Sequence, residues 1–271
     1  MKLNMRMWTL VAGTAAALTV FGGDAEKNGS AAMNPAGYQA DRAVTNGVRV
    51  LFLGNSITLH GPLAEIGWTN NWGMAASAPE RDYAHLVTRG IERRTGRKAD
   101  VRIRNIADFE RGWATWKPAE MLADEIAFRP EFLIVAIGEN TGDIGATADG
   151  QCGFGRAVEG LLGCFADGNG RLSPTTAVRG VFWANPAKDA AMRAAAEKFG
   201  AAFARTDFCD EPGMKAGTAL FRHPGVAAHP GDAGMARTAE LILGALFPPL
   251  NQTNSVSTVR TTSFSGKALF M

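Results

Sequence analysis

The sequence predicts an α/β fold with a mainly parallel five-stranded sheet and helices on both of its faces. Three observations carry that expectation. Short, continuous apolar runs such as "VRVLFLG" and "EFLIVAIG" are of the kind found in strands buried on both faces. Segments with apolar residues at helical spacing stand between those runs. The two kinds alternate along the chain, which is the pattern of a parallel sheet built through helical crossovers.

Taken in order, the first strand is "VRVLFLG". "ERDYAHLVTRGIERRTG" follows as a helix, with Tyr83, Leu86 and Ile91 on one face and Gly96 as its stop; Asp82 is read as a cap or a surface acid. "ADVRIRNI" is an alternating strand, and "PAEMLADEIAF" a helix with Pro118 near its start. "EFLIVAIG" is the third strand and "GRAVEGLLGCFAD" the next helix. "AVRGVFWAN" is a strand, and "AKDAAMRAAAEKFG" an Ala-rich helix stopped by Gly200. "AAFARTD" gives a short fifth strand, and "DAGMARTAELILGALF" the last long helix.

The flanks differ in composition. Residues 1–23 have a basic start, Lys2 and Arg6, then the small and apolar "WTLVAGTAAALTVFGG", then a polar stretch. That is the pattern of a secretory signal, shorter than the roughly 20 apolar residues of a spanning helix. Secretion or periplasmic export follows as the expectation, with no stable membrane insertion after signal removal. Residues 24–46 read as a linker or an N-terminal arm, 47–247 as the folded domain and 248–271 as a polar tail. The formal net charge of +2 is that of Lys2 and Arg6, so the remainder is close to neutral. A nucleic-acid binder normally carries a basic face, and that class is set aside. Cys152, Cys164 and Cys209 show no zinc spacing; a Cys152–Cys164 disulfide and three free thiols are both open. No cofactor motif is present: "GNSITL" lacks the glycines of a dinucleotide fingerprint, and a P-loop is absent.

The chemistry is expected at the carboxyl ends of the strands. Ser56 falls just past the first strand, in "GNS", where a backbone N–H at a turn or helix start points outward and a hydroxyl is presented at the sheet edge. Asn140 follows the third strand in "AIGENTGD"; a fixed, neutral amide is a suitable oxyanion donor. His229 immediately precedes the last helix in "FRHPGVAAHPGDAGM", where it is able to take a proton from Ser56 and return it to a leaving group. Each residue alone has an ordinary structural reading, as a cap, a loop amide or a loop histidine. Their arrival at one edge, in that order, is what points to a nucleophile, an oxyanion donor and a base.

With those residues in place, the chain resembles the SGNH hydrolases of the broader GDSL esterase superfamily. Gly54-Asn55-Ser56 resembles the first block, with Asn55 where Asp is often found. Gly138-Glu139-Asn140 resembles the Gly-x-Asn block, and His229-Pro230 the final His block. The resemblance spans roughly residues 47–247. It implies a flavodoxin-like three-layer α/β/α sandwich and a metal-free serine esterase, with Ser56 as nucleophile and His229 as base. It also implies an oxyanion hole from the Ser56 N–H, Asn140 and a second-block N–H. That last donor is a Gly several residues after an Asn like Asn105; the corresponding place here is Glu110, with Gly112 two further on. The family's Asp three residues before the His is replaced by Val226. A backbone carbonyl of Val226 or a neighbour is one substitute; Asp232, read mainly as a cap of the last helix, and His223, read mainly as a loop residue, are others.

Trp68, Trp72, Trp113 and Trp116 lie in loops leaving carboxyl strand ends, as a sugar-binding border or as loop packing. The expected substrate is a small acyl ester, such as acetyl, on carbohydrate. The alternative from a different class is an inactive carbohydrate-binding protein on the same scaffold.

Overall fold

The computed structural model describes residues 47–145 and 148–249. The signal and linker expectations, and all but the first two residues of the tail, lie outside them. Five strands form one parallel sheet: β1 (Val48–Gly54), β2 (Ala99–Asn105), β3 (Phe132–Ala136), β4 (Thr175–Arg179) and β5 (Ala202–Ala204). Their spatial order is β2-β1-β3-β4-β5. This is the flavodoxin-like order, in which the chain reverses its direction of winding between β1 and β3.

Alternation along each strand builds a core on each face. Val50, Phe52, Ile134 and Ala177 face one side. There they meet α1 (Tyr83–Thr95) and the last helix, Asp232–Leu246. Leu51, Leu53, Leu133, Val135 and Val178 face the other. The elements between β2 and β3 are short: α2 (Ala107–Gly112), α3 (Pro118–Met121) and α4 (Ala123–Ala127). The single helix expected over 118–128 is thus broken at Leu122, whose side chain is fully buried in the second core. The second core is closed by α5 (Ala148–Gly163) and α6 (Pro186–Lys198). A one-turn helix, α7 (Pro224–Ala227), precedes the last helix, α8.

The ends follow local chemistry. Asp82 caps α1, accepting from the His85 N–H at 2.8 Å, and it is buried because it also accepts from the Gly73 N–H at 3.1 Å. Gly96 closes α1 with φ 68°, a conformation open to glycine. The cap of α8 is Gly231, not Asp232; the Asp232 carboxylate instead accepts from the Ser77 N–H and hydroxyl at 2.8 and 2.7 Å. Cys152 lies within α5 and Cys164 directly after it. Twelve residues of helix separate them by about 18 Å, far beyond disulfide reach, so the open choice falls to free thiols. Among the described residues, no helix is long and apolar enough to cross a membrane.

Register positions the site. Gly54 pairs with Asn105 on one side and Ala136 on the other, and Ala136 pairs with Arg179. These four residues form one level line across the carboxyl edge. The segments that carry Ser56 and Asn140 rise from the adjacent strands β1 and β3, at the switch point.

Candidate active site

The turn after β1 is forced by packing. A Cβ on Gly54 would lie 1.9 Å from Thr58 Oγ1, so only glycine allows the chain to fold back there. Asn55 then turns inward and is fully buried. Its Oδ1 accepts from the Ile57 N–H at 3.1 Å, an Asx turn that leaves Ser56 facing out. The Ser56 N–H donates no hydrogen bond within the described residues.

The Ser56 hydroxyl lies 2.9 Å from His229 Nε2. On the far side of the ring, Nδ1 lies 2.7 Å from the Gly225 carbonyl oxygen. A carbonyl only accepts, so Nδ1 carries the proton and Nε2 presents its lone pair to Ser56. The orienting group is therefore the main chain of α7, one residue before Val226. His223 is exposed and borders the cavity, while Asp232 is engaged with Ser77. Burial holds His229 below the ordinary imidazole range, against the opposite pull of the Gly225 carbonyl. The Trp183 and His229 rings meet nearly perpendicular to each other, with centroids 5.2 Å apart.

The loop after β3 brings Asn140 to the same cavity. Gly138 has φ 113°, and a Cβ there would lie 2.5 Å from Val181 Cγ1. Asn140 Nδ2 donates to Glu110 Oε2 at 2.6 Å, leaving its second hydrogen unassigned to that bond.

Glu110 corrects the sequence expectation. It was placed as a backbone donor, but its N–H is directed to the Ile106 carbonyl at 3.4 Å and the residue is fully buried in α2. Its side chain is what reaches the site. The carboxylate accepts from Asn140 Nδ2, from Asn55 Nδ2 at 3.0 Å and from the Gly138 N–H. Burial, then the nearby Glu139 charge, push the Glu110 carboxyl above the usual carboxylate range.

Glu139 completes this layer. It accepts from Asn55 Nδ2 at 2.6 Å and from the Phe182 N–H at 2.8 Å. It pairs with Arg179 at 2.7 Å, both side chains being almost wholly buried. Asn55 thus donates to two carboxylates at once. An Asp in its place has no hydrogen to give and would add a third negative group. This is the physical reason that Asn stands where the resemblance leads one to look for Asp.

The cavity has a volume of about 350 Å³ and is bordered by Ser56, His60, Asn105, Arg111, Asn140 and His229, among others. None of the four loop tryptophans borders it. Trp68 is fully buried and packs edge-on to Trp72, Trp113 packs on Phe154, and Trp116 on Phe109. They are loop packing. Arg111, Glu139, Arg179 and Trp183 were not anticipated. The sequence signals for Glu139 and Arg179 are charges beside or within strand-like runs; Arg111 and Trp183 carry no local signal.

No family model matches the chain, and no curated protein does. Among solved structures, it is similar to a two-domain esterase (CEX) active on acetylated mannans, at 19% identity and a TM-score of 0.45, over 83% of this chain and 54% of that one. It is also similar to the esterase EstA from Pseudoalteromonas sp., at 12% identity and a TM-score of 0.43, over 73% of this chain and 96% of that one. A family two carbohydrate esterase from Cellvibrio japonicus matches at 18% identity and a TM-score of 0.39, over 73% of this chain and 61% of that one. The chain spans about half the length of the first of these.

Proposed function

We propose that the protein is a secreted or periplasmic serine esterase that hydrolyses carboxylic esters through an acyl-enzyme on Ser56, with small acyl groups such as acetyl on carbohydrate as substrates. The observation that carries this reading is the 2.9 Å contact between the Ser56 hydroxyl and a His229 ring whose tautomer is fixed by the Gly225 carbonyl. In this reading His229 Nε2 takes the Ser56 proton as Oγ attacks the ester carbonyl. The tetrahedral oxyanion is met by the Ser56 N–H and by the Asn140 amide, held in place from behind by Glu110. His229 then gives that proton to the sugar oxygen as its bond to the acyl carbon breaks, releasing the sugar hydroxyl. Water, activated by the same ring, later releases the acid from Ser56.

The mechanism needs no carboxylate behind the histidine. An acid there chiefly fixes tautomer and orientation, and a carbonyl does both. It adds no full charge to stabilise the imidazolium, which agrees in direction with the lowered His229 pKa.

A fluorophosphonate probe tests the assignment. It is expected to label Ser56 and to abolish hydrolysis of 4-nitrophenyl acetate, and Ser56→Ala is expected to be unlabelled and inactive. Folded wild-type protein that neither reacts with the probe nor cleaves acetyl esters would instead be a carbohydrate-binding scaffold.

A further inference from the structure

We propose that the substrate carries a carboxylate beside its ester, as an acylated uronic acid does, and that Arg111 receives it. The inference rests on the esterase reading and names a substrate class for the same cavity. Of the twelve residues that line the cavity, Arg111 alone bears a permanent charge, and none is an acid. Three others are histidines, which are neutral or cationic but never anionic.

Arg111 stands in the last turn of α2 and is exposed. Its Nη2 donates to Asn140 Oδ1 at 3.4 Å, and it has no ion-pair partner among the described residues. Nearby arginines are already engaged: Arg104 with Glu125 and Arg179 with Glu139, each at 2.7 Å. The acids behind the cavity wall do not cancel Arg111. Glu139 pairs with Arg179 at 2.7 Å, and the Glu110 carboxylate is taken up by donors from Asn140, Asn55 and the Gly138 N–H. Lys188 Nζ lies in the same layer, donating to the Gly138 carbonyl at 3.0 Å. The cavity therefore presents one unmatched guanidinium, whose fork fits a carboxylate.

Position decides which part of the substrate meets it. Arg111 approaches Asn140 from the Oδ1 side, whereas the oxyanion belongs to the Nδ2 side. An anion on Arg111 thus sits beside the ester and not on its carbonyl carbon.

The test compares O-acetylated methyl galacturonoside with O-acetylated methyl galactoside, which differ only in the sugar's carboxylate. Wild-type protein is expected to show about tenfold higher kcat/KM on the uronate, from a charge-assisted contact, with the ratio shrinking in high salt. Arg111→Gln is expected to remove the ratio through KM. A wild-type ratio near one overturns the proposal. So does an Arg111→Gln loss that falls equally on both substrates through kcat, which would place Arg111 with the oxyanion donors. Should neither ester be cleaved and Ser56 remain unlabelled, the esterase reading has failed separately. Calorimetric titration with galacturonate and galactose then decides: uronate-selective binding lost in Arg111→Gln supports the anion site, and its absence overturns it.

Discussion

The turns after β1 and β3 are built alike and bring different groups to the cavity, a hydroxyl on Ser56 and an amide on Asn140. Each opens on a glycine that no other residue replaces without a clash, and each follows it with two polar residues. After β1 the first polar residue, Asn55, is buried and the second, Ser56, borders the cavity. After β3 the first, Glu139, has an almost wholly buried side chain and the second, Asn140, borders the cavity. The buried members bond to each other, Asn55 Nδ2 to Glu139 Oε2 at 2.6 Å. Glu110 then ties Asn55 to Asn140. The comparison teaches that the first polar position holds the two turns in register, while the second is where they differ and what each presents to the cavity.

If that division holds, substitutions should separate by position. The largest effect is expected at the cavity-facing amide. Asn140→Ala should lower kcat by roughly 10²–10³-fold with little change in KM, read by steady-state kinetics on an acetyl ester. A change confined to KM would remove Asn140 from the oxyanion role. Next comes its buried support. Glu110→Gln should lower kcat by about tenfold, since the Gln side chain presents one accepting oxygen where the carboxylate has two. An unchanged kcat would show that Asn140 holds its place without Glu110.

The buried member of the first turn should act on stability instead. Asn55→Asp is expected to destabilise the fold by about 2 kcal/mol at neutral pH, by removing two donated bonds and adding like charge. Denaturant unfolding should show the deficit shrinking as pH falls, because a carboxyl crowded by two others is easier to protonate. The smallest effect is in the pH profile. His229 is held below the ordinary imidazole range by burial, and in the proposed mechanism its neutral form is the base. The acid limb of kcat/KM should therefore lie below pH ~6.5, activity being lost only as pH falls through that lowered value. A limb at or above the ordinary value would contradict the burial argument.

Part of this arrangement was legible in the chain. Leu51, Leu53, Leu133 and Val135 sit in unbroken apolar runs because both faces of the sheet are covered. Ser56, Asn140 and His229 stand out because each follows a recognisable strand or opens a helix. The supporting layer was not legible. Glu110 and Arg179 look like ordinary charged residues until the fold brings their partners from 28 to 55 positions away, and nothing local announces that they are buried. The break in 118–128 was missed for a similar reason. Its residues favour a helix, but seating Leu122 in the second core interrupts it.

The histidine's second contact has a consequence for heredity. Every amino acid carries a main-chain oxygen, so no exchange at position 225 deletes the atom that His229 leans on at 2.7 Å. The arrangement is sheltered from point mutation and exposed to changes in length. One residue gained or lost between 225 and 229 would swing the ring away, and lineages that keep this chemistry should tolerate varied letters there but a fixed count.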